Sequence, residues 1–240
     1  MTASQRSPRL PAWLLIFTAL LLLALPVAVL VVRAGLWQQG LLLYALSCLL
    51  ATVSALILAL LCVLPRYRSQ RKQLLLGIAC ELLLSLAAGR GDYPAIHDIT
   101  TDLSDPPTFS HAATLRGPES NSLDIKPDSL GAQQEAYPDL QSLRSERSAR
   151  NAYRHALAIA EQLGWEVVWQ EPDAWRFEAV DTTAIMGFKD DVAVRIRSTA
   201  EGSVVDLRSV SRVGVGDIGA NAQRIRAFQT AFTEDKGGQL

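Results

Sequence analysis

His97-Asp98 is followed by Asp102, Asp105 and His111, a run of side chains able to carry protons or hold a cation. A histidine beside a carboxylate suits general acid–base work, with His97 moving the proton and Asp98 orienting the ring. With Arg212 as an anion clamp, this pattern would fit a membrane-anchored periplasmic hydrolase or lipid-modifying enzyme. The spacing from His97 to His111 matches no standard metal motif, and the carboxylates do not fall at helical intervals, so no metal is expected. The competing reading is structural: such residues tie an extended arm to a sheet through side-chain to backbone bonds. His155 falls within a helical pattern and reads as structural or exposed.

Two further patterns are weighed the same way. Gly214-Val215-Gly216-Asp217-Ile218-Gly219 fits the dinucleotide fingerprint G-x-G-x-x-G. The residues after Gly219 hold one helix and a polar tail, with no returning parallel strand, so no dinucleotide or other cofactor is expected. A tight strand-to-helix turn is expected there instead, with Asp217 as the helix cap. Arg195, Arg197, Arg208 and Arg212 alternate along two adjacent strand-like runs. With Glu201-Gly202 as a two-residue turn, Arg197 faces Asp206 and Arg195 faces Arg208 across the hairpin. The row would lie on a solvent-facing sheet, either holding an anionic head group or simply laced by Asp190, Asp191 and Asp206.

The chain that positions these residues is divided in its polarity. Its 240 residues are 49% hydrophobic with a net charge of −1. Residues 1–88 hold Arg6, Arg9, Arg33, Arg66, Arg68, Arg71 and Lys72 against the single acid Glu81, so the remainder is strongly acidic. This excludes a single soluble domain, a disordered chain and a basic nucleic-acid binder. Residues 11–32 and 41–64 are apolar runs of membrane-crossing length; 73–88 is a shorter third candidate. Basic residues alternate across the links: two before the first run, Arg33 after it, four after the second, and Arg90 after the third. By the positive-inside rule the N-terminus is inside, three crossings are made, and the soluble part emerges outside. If 73–88 instead lies along the surface as an amphipathic helix, the soluble part is cytoplasmic. Glu81, inside the third run, is expected to bond Ser54, Thr52 or Tyr44 of the neighbouring span. The alternative is that it serves a small transporter component. Cys48, Cys62 and Cys80 all fall in the apolar runs, leaving no cysteine chemistry for the rest.

Residues 89–147 read as an extended arm, with 116–135 as its most mobile loop. Residues 148–240 read as an α+β domain. A helix runs through Ala149, Ala152, Tyr153, Ala156, Ile159, Ala160 and Leu163 and stops at Gly164. Strands follow at 165–170, 175–180, 188–198 and 203–213, then a helix with Ala222, Ile225, Phe228 and Phe232 on one face. Short turns predict a four-stranded antiparallel sheet with two helices packed on one face.

Tyr93-Pro94-Ala95-Ile96-His97-Asp98-Ile99-Thr100-Thr101-Asp102, with Pro106-Pro107 and Phe109, resembles the opening of the domain-of-unknown-function family numbered 1499. Ala136-Tyr137-Pro138-Asp139, Gly164-Trp165-Glu166, Phe188-Lys189-Asp190-Asp191 and Arg208 to Gly214 continue the likeness. Asp217 to Ala222 and Arg224 to Phe228 close it. The resemblance covers residues 92–232 and marks His97, Asp98, Asp102, Asp191, Arg208, Ser211, Arg212, Asp217, Asn221 and Arg224. It implies apolar helices ahead of the His-Asp motif, as in bacterial members, and no reaction. A clasp is expected in which Asp98 or Asp102 pairs with Arg212 or Arg224. The reading as a whole is a multi-pass inner-membrane protein displaying a periplasmic binding or scaffolding module rather than an enzyme. Its partners would be the lipid bilayer and an envelope protein or anionic lipid head group.

Overall fold

The computed structural model describes residues 10–87 and 93–234. Arg6, Arg9, Arg90, the end of the third apolar run at 88 and the polar tail lie outside the described residues. The chain divides into two compact units, one of residues 1–91 with 185–187 and one of 92–184 with 188–240.

The first unit is helical. Helix α1 spans Leu10–Arg33, α2 Trp37–Val63 and α3 Arg71–Ala87. Gly35, at φ +92°, makes the turn between the first two. A single 3-10 stretch, Pro65–Gln70, leads into α3. Two of these helices, α1 and α2, are long and apolar enough to cross a membrane; α3, at 17 residues, is shorter. Leu58, Leu61 and Leu74 form one apolar cluster with Leu14 and Ile78, and Leu21, Ala51 and Leu84 form another with Phe17. The order of these contacts shows α2 running antiparallel to both α1 and α3. Gly40 lets the first two helices close: a Cβ there would stand 2.8 Å from the Ala28 carbonyl oxygen.

The second unit is α+β. In chain order it contains β1 (Asp98–Thr100), α4 (Pro127–Ala136), β2 (Leu143–Ser145), α5 (Ala149–Gln162) and β3 (Glu166–Glu171). There follow β4 (Arg176–Thr182), β5 (Lys189–Thr199), β6 (Gly202–Ser211) and α6 (Ala220–Glu234). The sheet is antiparallel and six-stranded, not four-stranded. Strands β3 to β6 form a meander, and β1 and β2 lie end to end along the free edge of β6. Between them Thr101 continues the ladder, its N–H donating to the Leu207 carbonyl and its hydroxyl accepting from the Leu207 N–H. The two added strands have three residues each, too few to show alternation in sequence. They cover an edge that would otherwise be open to pairing with another chain.

Alternation along the strands separates two faces. Phe177, Ala179, Val192, Val194, Ile196, Val205 and Leu207 join Ala152, Tyr153 and Ala156 of α5 and Ile225, Phe228 and Phe232 of α6 in one core. Trp165 stacks on Phe228 with ring centroids 5.5 Å apart. Ser148 caps α5, its hydroxyl accepting from the Asn151 N–H.

The stretch expected as a mobile loop contains α4. Pro127 sits in its first turn, where a missing N–H costs nothing. Gln133 then locks it down from a fully buried position: its side-chain oxygen accepts from the Thr100 N–H at 2.9 Å, and its amide donates to the Thr100 carbonyl at 2.5 Å. The side chain thereby completes the outer edge of β1.

Candidate functional site

The hairpin of β5 and β6 sets the positions of the arginines. Thr199 pairs with Gly202, so the turn is Ala200-Glu201, one residue earlier than expected. Moving the turn by one residue shifts the register by two, which preserves the faces and changes the partners. Arg195 therefore lies opposite Asp206 and Arg197 opposite Val204. Arg195, Arg197, Arg208 and Arg212 do share one face, but it is not an open sheet surface. The arm, residues 98–124, lies across it and binds the row in three places.

At one end the fully buried Asp206 carboxylate accepts from Arg195 (3.1 and 3.2 Å), Arg197 (2.8 and 3.1 Å) and the Ser142 hydroxyl (2.6 Å). Asp102 reaches the same two guanidinium groups at 3.2 and 2.9 Å. Its second oxygen takes the Ser104 hydroxyl and the N–H groups of Ser104 and Asp105. Burial alone would raise the Asp102 pKa. The Ser104 and Asp105 hydrogen bonds and the Arg197 charge outweigh it and hold the carboxyl below its usual range.

In the middle Arg208, almost wholly buried, makes a bidentate pair with Asp98 at 2.9 and 2.7 Å. It also donates to the carbonyls of Pro107 and Leu123 and lies over the Phe109 ring. At the far end Asp191, fully buried, accepts from Arg212 at 2.7 to 3.2 Å and pairs with Arg116 of the arm. Burial pushes the Arg116 pKa down despite the neighbouring Asp191 charge. Beside these pairs, Glu178 receives the N–H groups of Ser110, His111 and Ala112 and the Ser110 hydroxyl.

A fourth network occupies the core side at the end of the sheet. Arg224 of α6 bonds Asp181 and Asp190, each at 2.6 Å, and donates to Asn221 Oδ1 and Ser209 Oγ. Asn221 in turn donates to Ser211 Oγ and the His97 carbonyl. Burial raises the Asp190 pKa even against the Arg224 charge.

The expected clasp therefore forms with other partners: Asp98 takes Arg208, Asp102 takes Arg195 and Arg197, while Arg212 and Arg224 take Asp191, Asp181 and Asp190. Alternation explains it. Asp98 and Arg208 share the arm face, whereas Asp190, the partner of Arg224, points to the opposite face with Val192 and Val194. Arg116, Glu178 and Asp181 are members of these networks that sequence pattern did not single out, nor did it single out Gln133, the clamp on β1. Arg116 and Gln133 lie in a stretch without periodicity, and Glu178 resembles any strand carboxylate.

His97 turns away from its neighbour. Its Nδ1 donates to the Val215 carbonyl at 3.2 Å, while Asp98 is taken up by Arg208. A cavity of about 30 Å³, room for roughly one water, lies beside Pro107, Trp169, Glu178 and Arg195. Neither His97 nor Arg212 lines it. Among the described residues, no three His, Cys, Asp or Glu side chains form a group that could hold a metal ion. The Gly214–Gly219 turn folds onto residues 94–96, with the Asp217 N–H bonded to the Ile96 carbonyl. The Asp217 carboxylate accepts from the N–H groups of Gly219 (2.8 Å) and Asn221 (2.7 Å), which caps the start of α6. In the helical unit Glu81 is fully buried and accepts from the Thr18 hydroxyl of α1 at 2.6 Å.

Two apolar helices followed by an antiparallel α+β domain, its arm clasped by buried ion pairs, define the class of this protein. The family described as Protein of unknown function (DUF1499) matches residues 98–232, and the chain belongs to it. No curated protein matches the chain.

Proposed function

We propose that the chain is a multi-pass protein of a bacterial inner membrane that displays its α+β domain in the periplasm as a binding or scaffolding module. The observation that carries this reading is the use of the polar residues. The arginines and aspartates that would recognise an anion or assist a reaction are spent on one another, fixing the arm to the sheet. What they produce is a rigid domain rather than an open constellation. The helices α5 and α6, which share one apolar cluster with the strands, are read as packing together on the opposite face. The lengths and hydropathy of α1 and α2 support an anchor. The placement of α3 antiparallel to α2 supports a third crossing, as do the basic residues Arg66, Arg68, Arg71 and Lys72, which run from the link after α2 into the first turn of α3.

The test is a pair of C-terminal fusions to the full chain, one to a phosphatase active only outside the cytoplasm and one to a fluorescent protein that matures only inside. The expected result is an active phosphatase and a dark fluorescent protein. The reverse pattern would overturn the orientation. In-cell cross-linking from the domain surface should then yield a defined envelope partner, and no discrete product would count against the module reading.

A further inference from the structure

The Gly214–Gly219 turn presents side chains that neither the core nor the clasps use. Val215 is 78% exposed and Ile218 64%. Tyr93, whose ring lies against Gly219, is 41% exposed. The exposure does not come from a loose loop. Asn121 donates to the Gly214 carbonyl at 2.8 Å, His97 to the Val215 carbonyl, and Asp217 accepts from two N–H groups. Ile218 holds φ at +53°, a backbone conformation that branched residues rarely adopt. That strain is maintained by the surrounding bonds, and its product is an isoleucine held outwards from the domain. Between Val213 and Gln223 the only charged side chain is Asp217, and both its oxygens are occupied by backbone N–H groups.

Chain length supplies the occupant. Tyr93 follows the last residue of α3 by six positions, and six residues span at most about 21 Å. A turn touching Tyr93 is therefore tethered close to whatever surface α3 ends at. We propose that the Gly214–Gly219 turn is a rigid wedge that seats Val215 and Ile218 in the headgroup–acyl boundary of the bilayer, with Tyr93 at its polar margin. This rests on the membrane anchoring proposed above.

The test uses the full chain reconstituted in phosphatidylcholine vesicles, with and without bromine at shallow acyl positions. Tryptophan is introduced by I218W, by V215W or, as a control on the exposed side of α5, by E161W. Emission of the parent chain is subtracted from each. The added emission of I218W and V215W is expected to fall at least twofold in brominated vesicles, and that of E161W to stay unchanged. Retained emission at both loop positions, while the parent chain with Trp13 and Trp37 is quenched, would overturn the wedge and leave the anchor intact. A parent chain that is itself unquenched would overturn the anchor, and the wedge with it. Blue-shifted but unquenched emission at the loop would assign it to a protein partner or a second copy, also against the proposal. V215W, at a position without positive φ, keeps the test decisive if I218W fails to fold.

Discussion

Asp191 has no exposed surface and two guanidinium partners, Arg116 from the arm and Arg212 from the end of β6. Desolvating a carboxylate costs several kcal/mol, and only close pairing with further hydrogen bonds offsets it. The Arg212 guanidinium also donates to the Leu115 carbonyl and that of Arg116 to the Asn121 carbonyl, so the network extends into the backbone of the arm. Asp191→Asn removes the charge and leaves two largely buried guanidinium groups, Arg116 and Arg212, without their shared counterion. The expected loss is about 3–5 kcal/mol, read as a shift of the denaturant midpoint of the full chain in detergent. The pair Arg226–Asp139 is the comparison: its members are 41% and 56% exposed. Asp139→Asn should cost about 0–1 kcal/mol in the same measurement. Equal losses for the two would show that burial does not set the strength of these clasps.

Helix α4 is held less by its own sequence than by one side chain, because Gln133 supplies the only edge pairing that β1 receives on its outer side among the described residues. Gln133→Leu would fill similar space and leave the Thr100 N–H and carbonyl buried without partners, at about 1–3 kcal/mol for each group. The expected outcome is a loss of stability and faster protease cutting within residues 127–136, with the β5–β6 hairpin unaffected by hydrogen exchange. Unchanged cutting would mean α4 is held elsewhere. The same element marks the limit of what the sequence discloses. Strands β3 to β6 and helices α5 and α6 are legible because each is long enough for period-2 or period-3.6 repeats to appear. The pieces that complete the sheet are not: β1 and β2 are three residues long, and α4 shows no apolar stripe because its main anchor is a buried amide. The arginine row is legible as a shared face, since faces survive a register shift of two. Its partners are not, because they depend on where the turn falls. Gly202 fixes that turn as the first residue of β6, with φ at +139° and a Cβ position only 2.1 Å from the Ser145 carbonyl oxygen.

At the scale of the whole molecule, a near-neutral net charge conceals a basic helical part joined to an acidic domain. The two charge sets have different work. In the domain, Arg116, Arg195, Arg197, Arg208, Arg212 and Arg224 are matched to carboxylates inside the fold. In the helical part they cluster at the helix ends: Arg33 is the last residue of α1, and Arg66, Arg68, Arg71 and Lys72 run from the link after α2 into the first turn of α3. Only Arg and Lys in short links weigh on insertion, and those four outnumber the residues of every other link. Neutralising them, as Arg66→Gln, Arg68→Gln, Arg71→Gln and Lys72→Gln together, removes the strongest retention signal. Arg71 also donates to the Cys62 carbonyl at the end of α2, so a version retaining Arg71 separates charge from this helix-end contact. On the proposed orientation, the combined variant divides between two topologies, and the phosphatase fusion loses much of its activity while the fluorescent fusion gains signal. The version retaining Arg71 shifts in the same direction by less. An unchanged reporter ratio in both would show that the long first helix, rather than the basic link, determines on which side of the membrane the domain is delivered.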